Sequence, residues 1–181
     1  VPHDRPCVVC IAGTGSVVLA YDAQRTRTKR VGGLGWLLGD EGSAVGVGRA
    51  ALRHVLSEPS PLLDVILAAT GVATADDLLR YVYTDDSRAR IAALAQVVTR
   101  AARDGHAVAR RIVQLEAQAM AACIDRAAPP IPAACRLGGA LFGDAGYLAR
   151  VLHHIQTPFI DIQVVHDICG AAAQSKAIRP W

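Results

Sequence analysis

Cys7-Val8-Val9-Cys10-Ile11-Ala12-Gly13-Thr14-Gly15-Ser16-Val17-Val18-Leu19-Ala20-Tyr21 sets two β-rich runs on either side of a small, flexible turn. Branched and apolar residues favour extended backbone, and glycines at 13 and 15 allow the reversal between them, so the stretch predicts a hairpin. A weaker third strand is expected over about residues 26–31. The glycine-dense segment Gly32-Gly33-Leu34-Gly35-Trp36-Leu37-Leu38-Gly39-Asp40-Glu41-Gly42-Ser43 follows and leads into a helix that runs to about Leu56. That helix stops before Ser57-Glu58-Pro59-Ser60-Pro61.

Residues 61–128 are helical throughout in pattern. Thr74-Ala75-Asp76-Asp77 reads as an N-cap with an acid three positions on, and Gly105 separates two long Ala/Arg-rich helices. Ile91, Leu94, Val97 and Val98, then Val108, Ile112, Leu115 and Ala119, recur at helical spacing and are expected in the core. After Pro129-Pro130 a buried strand is expected over 133–141, interrupted by Gly138-Gly139, then a helix over 144–155, a strand over 160–165 and a closing helix over 168–178. The order βββα, helical insertion, βαβα implies an α/β fold on a mixed five-stranded sheet.

The 181 residues are 52% hydrophobic, 19% charged and 4% aromatic, enough apolar material for one sizeable core and too much for a disordered chain. Mean hydropathy is high, +0.28, yet residues such as Asp64 and Gln96 interrupt every long apolar stretch, so no transmembrane helix or membrane partner is expected. A formal charge of +3 is too small to argue for a nucleic-acid partner. Arg25, Arg27, Lys29 and Arg30 alternate with threonines as on the solvated face of an edge strand.

Five cysteines and no signal peptide favour reduced thiols in the cytoplasm. Cys7 and Cys10 form a Cys-x-x-Cys, but on a strand residues three apart point to opposite faces and cannot chelate one ion. No second such pair occurs and the six histidines are scattered, so no metal ligands are expected. The first residue is Val1 rather than Met, which reads as a processed or truncated chain.

Each glycine cluster sits at a strand end, where ligands of α/β sheets gather. No Gly-x-x-x-x-Gly-Lys-Ser/Thr run is present, the Gly-x-Gly pairs at Gly13 and Gly33 lack a third glycine, and neither Ser16 nor Ser43 lies in Gly-x-Ser-x-Gly. A Gly-Thr-Gly-Ser turn can instead bring backbone N–H and hydroxyl donors close to phosphate oxygens. Asp40 and Glu41 either complement a helix dipole or present a carboxylate to a ligand hydroxyl.

Taken together, Ile11-Ala12-Gly13-Thr14-Gly15-Ser16, Gly39-Asp40-Glu41-Gly42-Ser43-Ala44 and Leu137-Gly138-Gly139-Ala140 resemble the C-terminal half of the BadF/BadG/BcrA/BcrD ATPase and N-acetylglucosamine kinase family. That family belongs to the actin-like, sugar-kinase superfamily, whose lobes are ribonuclease H-like. The resemblance spans nearly the whole chain, through Gly170-Ala171-Ala172-Ala173. It implies that Gly13, Thr14, Gly15 and Ser16 hold the β and γ phosphates of ATP, and that Gly138 and Gly139 form an adenosine motif. Gly33 and Asp40 match sugar-contacting positions, with Asp40 accepting from a sugar hydroxyl, while Glu41 caps the following helix. Leu34 and Val17 stand where N-acetylglucosamine kinases carry a tryptophan and an asparagine.

The resemblance further implies a single C-terminal lobe with an inserted helical segment, magnesium accompanying ATP, and a homodimer. A first phosphate loop and the aspartate general base lie in the N-terminal half of such enzymes, so no catalytic base is expected in this chain and the lobe alone is expected to be inactive. The expected activity is phosphorylation of an amino sugar or related hexose, with two alternatives: an ATPase activator of a reductase, and a nucleotide- or sugar-binding module without turnover.

Overall fold

A computed structural model describes residues 5–84 and 86–165. The hairpin forms as its sequence predicts: β1 (Cys7–Ala12) and β2 (Ser16–Tyr21) run antiparallel, with Ala12 opposite Ser16 across the turn. β3 (Arg27–Gly32) pairs antiparallel with β2, while β4 (Ala134–Gly138) and β5 (Asp161–Val165) extend the other side in parallel. The sheet order is β3-β2-β1-β4-β5, which sets the hairpin's first strand at the centre.

Strand periodicity sorts the side chains onto two faces. Val8, Cys10, Ala12, Val18, Ala20, Cys135 and Leu137 join a core with the helices. Cys7 lies on the opposite face from Cys10, and both thiols are buried, as are those of Cys123 and Cys135. Desolvation pushes the Cys135 thiol up to about 12 and raises that of Cys10 well above its ordinary value.

The central segment forms α1 (Ala44–Ser57), α2 (Pro61–Thr70), α3 (Ala75–Val82), α4 (Ser87–Arg103) and α5 (Ala107–Ala127). Thr74 caps α3 by accepting from the Asp77 N–H, as its sequence predicts. α5 lies across β1, β2 and β3, α4 packs between α1 and α5, and α6 (Ala145–His154) packs on α5. Ile91, Leu94, Val98 and Ile112 are buried, but Leu115 is 54% exposed, because the buried stripe of α5 runs through Ile112, Val113, Ala117, Met120 and Ile124 instead.

Two further expectations need correction. The strand expected over 133–141 ends at Gly138, and Ala140–Gly143 is a short 3-10 turn. Gly139 causes the break: its φ is +106°, and a Cβ there would lie 2.4 Å from the Ala12 carbonyl oxygen. β3 is the solvated edge strand expected, with Arg27, Thr28, Lys29 and Arg30 all exposed, while Arg25 sits in the preceding turn with φ +67°. The helix cap at α1 is Ser43, whose hydroxyl accepts from Gly46 N–H, and not Glu41. The closing helix expected over 168–178 lies outside the described residues. None of the helices among the described residues is long and apolar enough to cross a membrane.

Candidate functional site

The 13–16 turn is fixed to the start of α1. Ala44 N–H donates to the Gly13 carbonyl at 2.9 Å and Val45 N–H to the Thr14 carbonyl at 3.1 Å. First-turn amides of a helix lack partners within it, and here two of them turn the loop's carbonyls toward the helix. The 39–43 segment is joined to the same turn from the other side. Asp40 Oδ1 accepts from Ser16 N–H at 3.2 Å, and the Ser16 hydroxyl donates to the Glu41 carbonyl at 2.8 Å.

Asp40 is 3% exposed and has φ +61°, a left-handed conformation that aspartate tolerates but does not favour. Its carboxylate fills the space where a side chain at position 15 would go: a Cβ on Gly15 would lie 2.5 Å from Asp40 Oδ2. Close approach, rather than turn geometry, therefore requires glycine at 15. Gly13 differs, for a Cβ there would meet nothing within 4 Å.

Three side chains that the sequence did not single out hold the glycine-rich segment. Arg49 on α1 donates from Nη1 to the Trp36 carbonyl at 2.7 Å and from Nη2 to the Gly39 carbonyl at 3.0 Å. Glu116 on α5 accepts from Gly42 N–H at 2.8 Å, and the Tyr147 hydroxyl on α6 donates to the Gly42 carbonyl at 2.6 Å. Burial raises the Glu116 carboxyl above its ordinary value, opposed by the Gly42 N–H and by Arg49. Their only signal in the sequence is a polar residue on an apolar helix face, which is common.

Gly33 is at the far end of this segment, with φ +68°, and the Arg30 guanidinium donates to the carbonyls of Gly32 and Gly33. Val17 lies against Gly33, while Leu34, Leu37 and Leu38 are exposed.

Beside the 13–16 turn a cleft of about 440 Å³ opens between that turn, α4 and the 140–144 segment. Gly13, Thr14, Gln96, Thr99, Arg103 and Asp144 line it, with Arg103 and Asp144 paired at 2.7 Å. Gly138 pairs with Ile11, so the chain from Gly139 enters the cleft wall immediately beside the turn. The structure thus gathers Gly13, Thr14, Gly15, Ser16, Asp40, Gly138 and Gly139 at one end of the sheet, with Gly33 at the outer end of the glycine-rich segment. A second groove of about 830 Å³ continues from the cleft between α2 and α4. Among the described residues no three His, Cys, Asp or Glu side chains converge as metal ligands.

The model of the BadF/BadG/BcrA/BcrD ATPase family matches residues 1–171. The chain belongs to that family. An N-acetylmuramic acid/N-acetylglucosamine kinase of Clostridium acetobutylicum is 32% identical over 117 residues, covering 61% of this chain and 38% of that protein. This chain therefore spans well under half the length of that curated relative. Among solved structures, a Porphyromonas gingivalis protein provisionally named an N-acetylglucosamine kinase superposes with a TM-score of 0.75 at 22% identity, covering 95% of this chain and 60% of that one. A ROK family glucokinase from Streptomyces griseus, solved with glucose and AMPPNP, superposes with a TM-score of 0.55 at 15% identity, covering 91% and 56%. The fold is accordingly that of an actin-like ATPase lobe, with the mixed five-stranded sheet and inserted helices expected of it.

Proposed function

We propose that this chain is the nucleotide-binding lobe, and part of the sugar site, of an ATP-dependent kinase acting on an amino sugar or related hexose. The observation that carries this reading is the direct hydrogen bonding of the 13–16 turn, whose Gly13 and Thr14 line the cleft, to the 39–43 segment through Asp40 and Ser16. A kinase must hold its phosphate donor and its acceptor hydroxyl in one fixed relation, since positioning and charge stabilisation supply most of phosphoryl-transfer catalysis. Two loops locked to one another do that.

In this reading Gly13, Thr14, Gly15 and Ser16 face the terminal phosphates, and the nucleoside lies along the cleft past Gly138 and Gly139. Gly33 and Asp40 contact the sugar. The sugar hydroxyl oxygen forms a bond to the γ-phosphorus as the bond to the β–γ bridging oxygen breaks, and the hydroxyl proton passes to a base outside this lobe. Magnesium would come with the nucleotide, whose phosphates rather than a dedicated protein cage supply most of its ligands, and would offset phosphate charge there. Among the described residues Cys7, Cys10, Cys123 and Cys135 are all buried, so none of these four is placed to share an iron–sulfur cluster as the reductase-activator reading needs.

The test is ADP release by the polypeptide extended to the full length of its relatives, with MgATP and a panel of hexoses and amino sugars. Release that depends on one sugar supports the kinase and names its substrate class. Release without any sugar overturns it in favour of the ATPase activators, and nucleotide binding without release overturns it in favour of a binding module.

A further inference from the structure

Gly42 has both of its backbone polar groups taken by side chains from two different helices: its N–H by Glu116 of α5 and its carbonyl by Tyr147 of α6. Met120, one turn beyond Glu116, lies under the same glycine, where a Cβ would approach Met120 Cβ to 2.5 Å. The Glu116 carboxylate also reaches the first turn of α1, so close that a side chain at Gly46 would meet its Oε2 at 2.5 Å. There the partial positive charge of the helix N-terminus favours an anion. The charged groups around it are Arg49 on α1 and Glu41 on the loop, with the Tyr147 hydroxyl on α6.

Two residues before Gly42 stands Asp40, held in a left-handed conformation with its carboxylate on Ser16 N–H. A non-glycine residue keeps such a conformation only where its surroundings over-determine it, and strain of this kind gathers at functional positions. The clamp on Gly42 provides that constraint from below, while Arg49 fixes the Trp36 and Gly39 carbonyls from the other end of the loop. A carboxylate buried mainly among backbone and apolar groups is unfavourable unless it is hydrogen-bonded, and its one backbone donor is the amide of the loop it holds.

We infer that Glu116 is a positioning residue for the sugar side of the site, acting through Gly42 on Asp40, with Tyr147 as the second jaw of the clamp. This rests on the kinase reading in one respect, that Asp40 faces the sugar. Neither side chain touches substrate in this account. Their removal releases Asp40 from Ser16 and blunts sugar binding, while the nucleotide cleft, walled by α4 and the 140–144 segment, keeps its shape.

The experiment compares Glu116→Leu, Glu116→Gln and wild type in the full-length polypeptide. Three readouts are needed: sugar KM, MgATP KM, and amide hydrogen exchange of the peptide spanning residues 39–46. Leucine keeps bulk but cannot accept the Gly42 N–H, whereas glutamine can. Expected are a rise of about tenfold or more in sugar KM for Glu116→Leu with MgATP KM changed less than about twofold. Exchange in 39–46 should be faster in that variant, and glutamine should restore most of both effects. A folded Glu116→Leu protein with wild-type sugar KM overturns the inference while leaving the kinase intact. Equal losses in sugar and MgATP KM also overturn it, since they would report a general structural role. If the wild-type polypeptide releases ADP without any sugar, the kinase reading falls and the sugar role of the clamp falls with it.

Discussion

Gly13 and Gly15 stand two residues apart in one turn, yet alanine should have opposite consequences at the two positions. At Gly15 the new methyl carbon would lie 2.5 Å from Asp40 Oδ2 and 3.0 Å from its Cγ. Reaching an ordinary carbon–oxygen contact of about 3.4 Å moves the carboxylate by roughly 0.9 Å, beyond hydrogen-bond range of Ser16 N–H. Loss of a hydrogen bond to a charged, buried acceptor costs about 1.5–3 kcal/mol. Reduced freedom of the unfolded chain returns about 0.4–1 kcal/mol, leaving a net loss near 1–2 kcal/mol. At about 2–4 °C per kcal/mol for a chain of this size, the melting temperature should fall by about 2–8 °C. At Gly13 the methyl meets nothing, so stability should be unchanged or slightly higher. That methyl does enter the space beside the cleft, and MgADP affinity measured by isothermal titration should drop about tenfold, the scale of about 1.4 kcal/mol lost where backbone and phosphate must meet closely. Equal melting temperatures for the two variants would refute the steric argument at Gly15. Normal MgADP binding by Gly13→Ala would remove the turn from the phosphate site.

Arg49→Met should free the Trp36 and Gly39 carbonyls, lowering stability by about 1–2 kcal/mol in denaturant titrations and moving Trp36 emission to the red; an unshifted spectrum would show that the loop holds itself. Glu116→Gln should stabilise the protein progressively as pH rises through and above the ordinary carboxyl range. A carboxyl whose folded value is raised contributes most at low pH, where it is neutral, and that contribution is lost on ionisation, which glutamine avoids. A stability difference independent of pH would show that the carboxyl titrates alike in the folded and unfolded chain, and would refute the raised value. Cys135, whose thiol is held near 12 by burial, should resist alkylation at pH 8 until the protein is unfolded, as mass mapping of the modified peptide would show.

What the sequence makes legible here is local. The hairpin reads directly from β-branched and apolar runs on either side of Gly13-Thr14-Gly15-Ser16, and helices α3 to α5 follow from Thr74, Gly105 and apolar spacing, because each signal lies within a few residues of its effect. The clustering of the three glycine segments was legible only through their resemblance to a family, since nothing local brings Gly139 beside Ala12. Glu116 and Tyr147 were not legible at all. Each acts on a backbone group more than seventy residues away in sequence, and composition carries no trace of such a contact. The strand expected through 141 failed at Gly139, where a close backbone approach overrides an apolar run that otherwise favours extension. Leu115 failed because helical spacing on α5 supports more than one apolar stripe, and packing chooses between them.

The sheet order also bears on when this molecule becomes useful to the cell during its own synthesis. Among the strands of the described fold β1 is made first and can pair at once with β2, its neighbour in sequence. Its other partner, β4, arrives only after all five helices of the central segment have been made. Parallel pairing between such distant segments is slow, because the loop must close before the contact is rewarded. The cleft needs the β1 turn, α4 and the segment just after β4 together. In the kinase reading a nascent chain therefore lacks this cleft until nearly all of the described fold is in place, and a ligand of the cleft would select completed chains over partial ones.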